Sequence, residues 1–127
     1  MKIFGIGTDL ANINRIKKSL KNIKFINRIY HINEIKKCKN HVNKSNCFAK
    51  RFAAKEAFSK ALGVGISHGI NFNEIIVQNI KSGKPKIILS GNTKKIVNKI
   101  IKKKRFSIFL SLSDDKPFAV ATVVISL

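Results

Sequence analysis

The sequence predicts a single compact α+β domain with a mainly antiparallel sheet and one long motif helix. Its 127 residues, 44 % of them hydrophobic, suffice to bury one core. Apolar residues recur at helical spacing through much of the first half, whereas the C-terminal segment alternates as a β-hairpin does. No internal repeat or linker is evident, so we treat residues 1–127 as one domain.

The N-terminal part is predicted to form a strand and then short basic helices. The strand covers residues 2–10, and its glycines indicate a close approach of its backbone to another element. Asp9 stands at the C-terminal end of this strand, a common place for a ligand-binding side chain. Residues 12–30 follow with helical spacing, a basic opposite face and a break near Asn22. A further short helix is predicted around residues 32–39.

The central motif helix is predicted at residues 48–62, after a polar loop that runs through Asn46. Its apolar residues form one stripe, and Gly63 is a typical C-terminal stop. Glu56 and Lys60 are four residues apart, so their side chains are neighbours on the helix surface. Taken alone, these two residues indicate only a solvated ion pair.

Turn residues divide the second half of the chain into a loop, two hairpins and a helix. The predicted segments are a loop at 63–69, strands at 72–80 and 85–90, a helix at 92–103 and a hairpin at 106–127. Asn92 or Thr93 is expected to cap the helix. The last strand, from Phe118, is apolar on both faces, which favours helices on one side and a neighbouring subunit on the other. A central strand within a monomer is the alternative.

The formal net charge of +20 has two open explanations. One is attraction to an acidic partner or substrate, and the other is a composition biased toward residues with AT-rich codons. The basic run Lys102–Arg105 favours nucleic-acid binding, but no motif or stacking aromatic set of that class accompanies it. No uncharged apolar run approaches the roughly 20 residues of a membrane span. We therefore expect a cytoplasmic protein that binds neither nucleic acid nor membrane.

The two cysteines are too few for a disulfide scaffold. Cys38 and His41 have the spacing of half a zinc site, but no second pair of ligands follows at the spacing of a zinc finger. We therefore expect Cys38 and Cys47 to be free thiols.

Several segments carry a known pattern: Gly5-Ile-Gly-Thr-Asp-Leu10, Arg51–Gly63, Gly83-Lys84-Pro85 and Leu112–Val123. Their order and spacing resemble those of the holo-(acyl carrier protein) synthases, a family of phosphopantetheinyl transferases. The resemblance implies transfer of 4′-phosphopantetheine from coenzyme A to a serine of apo-acyl carrier protein, with release of adenosine 3′,5′-bisphosphate, in support of fatty acid biosynthesis. It also implies a homotrimer with active sites between subunits.

The resemblance assigns roles to particular residues. Asp9 and Glu56 match the Mg²⁺ ligands, and Lys60 matches the position that holds phosphates or protonates the leaving group. Contacts with coenzyme A are implied for Arg51, Lys55, Lys60, Gly83, Lys84 and Pro85. The residues themselves leave alternatives open. Arg51 and Lys55 could belong to a solvated basic face, and residues 83–85 could form a plain hairpin turn.

Asp114 stands where several members of the family have histidine. The base that activates the carrier serine is therefore open: Asp114, a metal-bound water, or none. His68, a loop residue, is not expected to replace it.

Arg15 and Arg28 match the family's docking arginines for the acidic helix of the carrier protein, whereas the lysines around them also fit a solvated face. A carrier-docking protein without activity is the remaining alternative, which the presence of Asp9, Glu56 and Lys60 disfavours.

Overall fold

The N-terminal strand β1 (Ile3–Asn12) packs directly on the long central helix, the fourth of the chain, α4 (Lys44–Leu62). The computed structural model describes residues 1–102 and 105–127. A Cβ on Gly5 would overlap the carbonyl oxygen of Ala61, and one on Gly7 would overlap that of Ala57. Only glycine permits this backbone approach, which the sequence predicted, and it brings the end of β1 beside α4.

The main sheet has three antiparallel strands in the order β1-β5-β4, where β4 is Ser107–Asp115 and β5 is Phe118–Ser126. Along β5, alternate residues are buried toward α4: Ala119, Ala121, Val123 and Ile125. The residues between them lie on the opposite face of the sheet. A second, two-stranded antiparallel sheet is formed by β2 (Ile75–Asn79) and β3 (Pro85–Leu89). The predicted α+β class is confirmed.

Three short helices connect β1 to α4, namely α1 (Ile13–Ser19), α2 (Ile23–Ile29) and α3 (Ile32–Lys39). The predicted break near Asn22 is confirmed, because the Asn22 side chain accepts a hydrogen bond from the Lys24 amide and caps α2. At α3, the His31 ring and the Glu34 carboxylate form a capping box.

Some predicted boundaries are wrong. α4 begins four residues earlier than predicted, so Asn46 is a buried helix residue instead of the end of a polar loop, and the buried Cys47 also lies within the helix. Residues 72–74 form a single 3₁₀ turn before β2, where the sequence predicted strand. Of the basic run at 102–105, Lys103 and Lys104 lie outside the described residues, as does the last position of the helix predicted at 92–103.

The cap of the last helix, α5 (Gly91–Ile101), also differs from the prediction. Neither Asn92 nor Thr93 is the capping residue, and the carboxylate of Glu74 accepts hydrogen bonds from their backbone amides instead, each at 3.1 Å. A Cβ on Gly91 would overlap this carboxylate, which explains the glycine at the start of the helix.

Cys38 on α3 and Cys47 on α4 are joined by a disulfide, with their Cα atoms 5.4 Å apart. The expectation of free thiols was therefore wrong. Within the part of the chain that the structure describes, none of the helices combines the length and the apolar character that crossing a membrane requires.

Candidate active site

Asp9, Glu56 and Lys60 meet at the β1 edge of the sheet. The Lys60 ammonium donates hydrogen bonds to Asp9 Oδ1 at 3.1 Å and to the Thr8 carbonyl at 3.0 Å. Burial raises the pKa of Glu56, and the Asp9 charge raises it further against the opposing effect of Lys60. The structure therefore brings together the two predicted metal ligands and the predicted phosphate-binding lysine.

This cluster fits a Mg²⁺ ion. Burial is the main cause of the raised pKa of Glu56, and the Asp9 charge adds to it, so a bound cation would relieve the repulsion between the two carboxylates. No group of three or more His, Cys, Asp or Glu residues suited to a metal occurs within residues 1–102 and 105–127. Mg²⁺ is commonly held by one or two carboxylates and completes its shell with waters and phosphate oxygens. Asp9 and Glu56 are sufficient protein ligands for such a site.

A second group of predicted residues lines a pocket of about 360 Å³ beside β3 and β4. We call it the Arg51 pocket; its lining residues are Lys37, His41, Cys47, Lys50, Arg51, Asn79, Gly83, Pro85 and Leu112. Three of these were predicted contacts of coenzyme A. Lys84, on the same turn as Gly83 and Pro85, is exposed.

Arg51 is 4 % exposed, and the hydrogen-bonding capacity of its guanidinium is only partly used. Its Nη2 donates to Asn79 Oδ1 at 3.1 Å, and its Nη1 approaches the Cys47 carbonyl oxygen at 3.4 Å and Sγ at 3.3 Å. Nε is a buried donor that has no acceptor among the described residues. Burial lowers the pKa of Arg51, with Glu34 opposing that shift, but an arginine remains a cation. A buried cation that lines the pocket favours an anionic ligand there.

Within one chain, the two groups lie at opposite edges of the sheet. Asp9 on β1 and Leu112 on β4 both pair with Ala121, which lies between them on β5. Two strand spacings amount to about 9–10 Å. The predicted site residues therefore form two half-sites in a single chain.

Lys55 belongs to neither half-site. Its ammonium is fully buried and donates to Glu34 Oε1 at 2.7 Å, to the Phe72 carbonyl at 2.8 Å and to the Ile75 carbonyl at 2.5 Å. Burial lowers the pKa of Lys55 to about 8, and the neighbouring Glu34 opposes the shift. With three acceptors for three protons, Lys55 has no donor left for a ligand. Its predicted contact with coenzyme A is replaced by a role in the core.

Asp114 lies near the start of α4, away from Asp9. Its Oδ2 accepts a hydrogen bond from Asn46 Nδ2 at 2.7 Å, and its Oδ1 is 3.6 Å from Lys50 Nζ. The hydrogen bond from Asn46 lowers the pKa of Asp114, and Lys50 adds to the effect. Sequence reasoning missed both partners, although Lys50 directly precedes Arg51 in the motif helix.

The remaining predicted residues are at the surface. Arg15 on α1 and Arg28 on α2 are exposed. His68 is exposed as well, and its Nδ1 is hydrogen-bonded to the adjacent Ser67 hydroxyl at 3.1 Å.

The family model of the 4′-phosphopantetheinyl transferase superfamily matches residues 5–123. The chain belongs to this superfamily. The transferase is 49 % identical over 125 residues to the holo-[acyl-carrier-protein] synthase of Pelagibacter ubique (strain HTCC1062), with 98 % of each chain covered. The predicted resemblance is thereby confirmed.

The fold of the transferase superposes on solved structures over nearly its whole length. The holo-[acyl-carrier-protein] synthase of Neisseria meningitidis superposes with a TM-score of 0.86 at 33 % identity, covering 98 % of this chain and 99 % of that one. The holo-(acyl-carrier-protein) synthase of Bacillus anthracis str. Ames, in complex with CoA (3′,5′-ADP), gives a TM-score of 0.79 at 39 % identity, covering 99 % and 98 %.

Proposed function

We propose that this transferase moves 4′-phosphopantetheine from coenzyme A to a serine hydroxyl of apo-acyl carrier protein and releases adenosine 3′,5′-bisphosphate, a step that supports fatty acid biosynthesis. The observation that carries the proposal is the cluster of Asp9, Glu56 and Lys60 in a superfamily member. Relatives named as holo-[acyl-carrier-protein] synthases over 98 % of this chain support it.

The cluster suits a displacement at phosphorus. The serine oxygen forms a bond to the phosphorus that carries pantetheine, and the bond from this phosphorus to the bridging oxygen breaks. Asp9 and Glu56 would hold Mg²⁺, which when bound neutralises charge on the diphosphate. The Lys60 side chain is 55 % exposed, so its ammonium is free to turn from Asp9 to the leaving oxygen and to stabilise the charge that develops there.

Asp114 is a poor candidate for the base in this scheme. Its pKa is lowered and its two oxygens are engaged by Asn46 and Lys50. A carboxylate with a lowered pKa is a weak proton acceptor at neutral pH. We therefore assign Asp114 no part in proton transfer.

The nucleotide half of coenzyme A is proposed to occupy the Arg51 pocket. Arg51 contributes a buried cation to the lining, and the turn that contains Gly83 and Pro85 borders the pocket. The relative from Bacillus anthracis, which forms a complex with CoA (3′,5′-ADP), supports a nucleotide site in this fold.

A homotrimer with active sites between subunits would join the two half-sites. The sheet face opposite α4 is apolar yet open, with exposed fractions of 63 % at Ile6, 58 % at Leu10, 46 % at Phe109 and 40 % at Phe118. A patch of this kind across three strands is typical of an interface. Packing this face against neighbours would place the β1 edge of one chain beside the β4 edge of the next.

Arg15 and Arg28 are proposed to dock the acidic helix of the carrier protein. Both are exposed, on consecutive basic helices that follow β1 directly and carry no acidic residue. Such a cationic face accelerates encounter with an acidic partner and loses effect as salt rises.

Mass spectrometry of apo-acyl carrier protein tests the activity. Incubation with the transferase, coenzyme A and Mg²⁺ should add the mass of phosphopantetheine, and a metal chelator should prevent the gain. Asp9→Asn and Glu56→Gln should each lower transfer by several orders of magnitude while the far-ultraviolet spectrum stays unchanged. An unmodified carrier with the wild-type protein would refute the proposal.

A mixing experiment tests whether the site lies between subunits. Asp9→Asn and Arg51→Gln damage different half-sites, so each protein alone should be inactive. Coexpression with separate affinity tags yields mixed trimers, in which some interfaces join an intact β1 edge to an intact Arg51 pocket. Recovered transfer supports the shared site, whereas two-tag assemblies without activity would place both half-sites in one chain.

A further inference from the structure

The disulfide between Cys38 and Cys47 reaches the Arg51 pocket through one of its two residues. Cys47 lines the pocket, whereas Cys38 is fully buried and is not among the described lining residues. A small thiol that enters the pocket therefore meets the disulfide at Cys47. Coenzyme A itself ends in a thiol, so the proposed reaction takes place in the presence of thiols, which exchange with disulfides that they can reach.

The sulfur of Cys47 touches the cation that the pocket offers to an anionic ligand. Arg51 Nη1 lies 3.3 Å from Cys47 Sγ. In the disulfide this sulfur is neutral and only a weak acceptor, so the charge of the guanidinium remains available to a ligand. A reduced Cys47 is a thiol that can ionise, and its thiolate would form an ion pair with Arg51.

The surroundings of Cys47 favour the thiolate over the thiol. Cys47 is in the first turn of α4, where backbone amides stabilise a negative charge. Cations line the pocket from both elements that the disulfide joins, namely Lys37 and His41 from α3 and the loop after it, and Lys50 and Arg51 from α4. None of the described lining residues is acidic. The carboxylates of the neighbouring elements have cations of their own, because Glu34 is paired with Lys55 and Asp114 with Lys50.

The fold around the disulfide has other ties, so reduction should alter the pocket and leave the domain folded. Glu34 on α3 is joined to Lys55 on α4 by a buried ion pair, and Ile35 on α3 belongs to the hydrophobic core. The disulfide closes only the short segment between Cys38 and Cys47, so its loss frees few residues.

We propose that the Cys38–Cys47 disulfide is a redox control on nucleotide binding, in which reduction creates a Cys47 thiolate that pairs with Arg51 and competes with the anionic ligand. The inference rests on the proposed function, which places the nucleotide of coenzyme A in the Arg51 pocket. It goes beyond that function because it makes the affinity for the nucleotide depend on the oxidation state of the chain.

A dithiol reductant supplies the two electrons of the reaction. One of its thiolates attacks Cys47 Sγ, the bond between the two cysteine sulfurs breaks, and Cys38 leaves as a thiolate that takes up a proton. The second thiol of the reductant then displaces Cys47 from the mixed disulfide, and the reductant closes to its own disulfide. Cys47 stays ionised beside Arg51, so one proton passes to the solvent.

The competition acts in both directions. A nucleotide bound at Arg51 must make the disulfide harder to reduce by the same factor by which reduction weakens nucleotide binding. Coupling between two sites commonly amounts to roughly fivefold to a hundredfold in affinity. Redox state and ligand affinity therefore give two independent measurements of one quantity.

The test uses the wild-type protein in its two states. Buffers with defined ratios of reduced to oxidised dithiothreitol set the state, and alkylation with iodoacetamide followed by mass spectrometry reads it, since the chain has two cysteines and gains either no group or two. Calorimetry should show adenosine 3′,5′-bisphosphate binding the oxidised state at least about fivefold more tightly than the reduced state. Saturating bisphosphate should raise the dithiothreitol ratio needed for half reduction by the same factor. Equal affinities, or an unchanged ratio, would overturn the proposal.

Two serine variants separate the charge of the thiolate from the loss of the cross-link. Cys38→Ser and Cys47→Ser both lack the disulfide, but only Cys38→Ser keeps a thiol beside Arg51. Cys47→Ser should bind the bisphosphate as the oxidised wild type does, and Cys38→Ser as weakly as the reduced wild type. Equal affinities of the two variants would overturn the role of the thiolate. The comparison of the two wild-type states needs no variant and stands even where a variant fails to fold.

Transfer to apo-acyl carrier protein distinguishes this inference from the proposed function. Reduction should raise the KM for coenzyme A and leave kcat unchanged. A wild type that modifies the carrier with the same KM in both states would keep the proposed function and overturn the redox control. A wild type whose affinity for the bisphosphate follows its redox state but which modifies no carrier would refute the proposed function and leave the redox control standing.

Discussion

Replacing Lys55 by methionine tests whether this residue of the motif helix belongs to the core or to the substrate site. Methionine keeps the length and apolar stem of lysine but removes the ammonium. Glu34 would then remain as a fully buried charge that keeps hydrogen bonds from backbone amides but loses its hydrogen-bonded cation, and the carbonyls of Phe72 and Ile75 would lose their donor.

The expected loss of stability is large. Breaking a buried ion pair by removing one partner costs about 3–5 kcal/mol, and two buried carbonyls without a donor add to it. Total stabilities of small proteins are about 5–15 kcal/mol, so the variant would lose a substantial part of its free energy of unfolding. Adding Glu34→Gln removes the stranded charge, so the double variant should be more stable than the sum of the single effects predicts.

The measurement is urea unfolding at neutral pH and a fixed protein concentration, because association would shift the midpoint. Lys94→Met is the matched control and should stay within about 0.5 kcal/mol of the wild type. The folded fraction of Lys55→Met should bind coenzyme A with ordinary affinity. A variant with wild-type stability that no longer binds coenzyme A would refute the core assignment and restore Lys55 to the substrate site.

Three further predictions concern other parts of the molecule. Gly7→Ala should lower the free energy of unfolding by about 1–3 kcal/mol, because the added methyl group would overlap the α4 backbone. Gly65→Ala is the control, since its methyl group would make only an ordinary contact. Equal melting temperatures for the two variants would contradict the close packing of β1 on α4. Burial opposes ionisation of Glu74, but hydrogen bonds from Thr93, Asn71 and the α5 amides outweigh it and lower the pKa of Glu74 below its usual 4.5. The ionised Glu74 therefore stabilises the fold above pH 4.5, and this stabilisation is lost as the pH falls through the lowered pKa. Glu74→Gln should therefore be less stable than the wild type at pH 7 but nearly equal to it at about pH 2, and a difference independent of pH would argue against the charged cap. Arg15→Glu and Arg28→Glu should raise the KM for the carrier protein and leave that for coenzyme A unchanged, and unaltered kinetics in both would show that the carrier docks elsewhere.

The features that the sequence predicted correctly are those that depend on residues close together in the chain. The glycines of β1, the helix break at Asn22 and the stop at Gly63 are local signals, and the structure has each of them. The pairing of Asp9 with the motif helix came from the family pattern, since no local rule relates a strand residue to a helix about 50 residues away.

The contacts that the sequence did not predict are those between residues far apart in the chain. Helical periodicity shows that Lys55 and Glu56 point in different directions, but not that Glu34 lies opposite Lys55. The capping of α5 by Glu74 and the anchoring of Lys50 by Asp114 likewise join separate elements. The expectation of free thiols was wrong because the number of cysteines does not show that α3 and the first turn of α4 bring Cys38 and Cys47 together.

The placement of the few carboxylates accounts for part of the +20 charge. The chain has six acidic residues, and five of them have specific partners or neighbours: Asp9, Glu34, Glu56, Glu74 and Asp114. Ordinary surface acids, those whose loss costs little, are nearly missing. A gradual replacement of surface residues by lysine, in which only acidic residues with a structural or functional role were kept, would produce this distribution of acidic residues. The surface should therefore tolerate restored acidic residues away from the site and the docking helices, whereas almost any further loss of an acid would remove a contact that the fold or the chemistry uses.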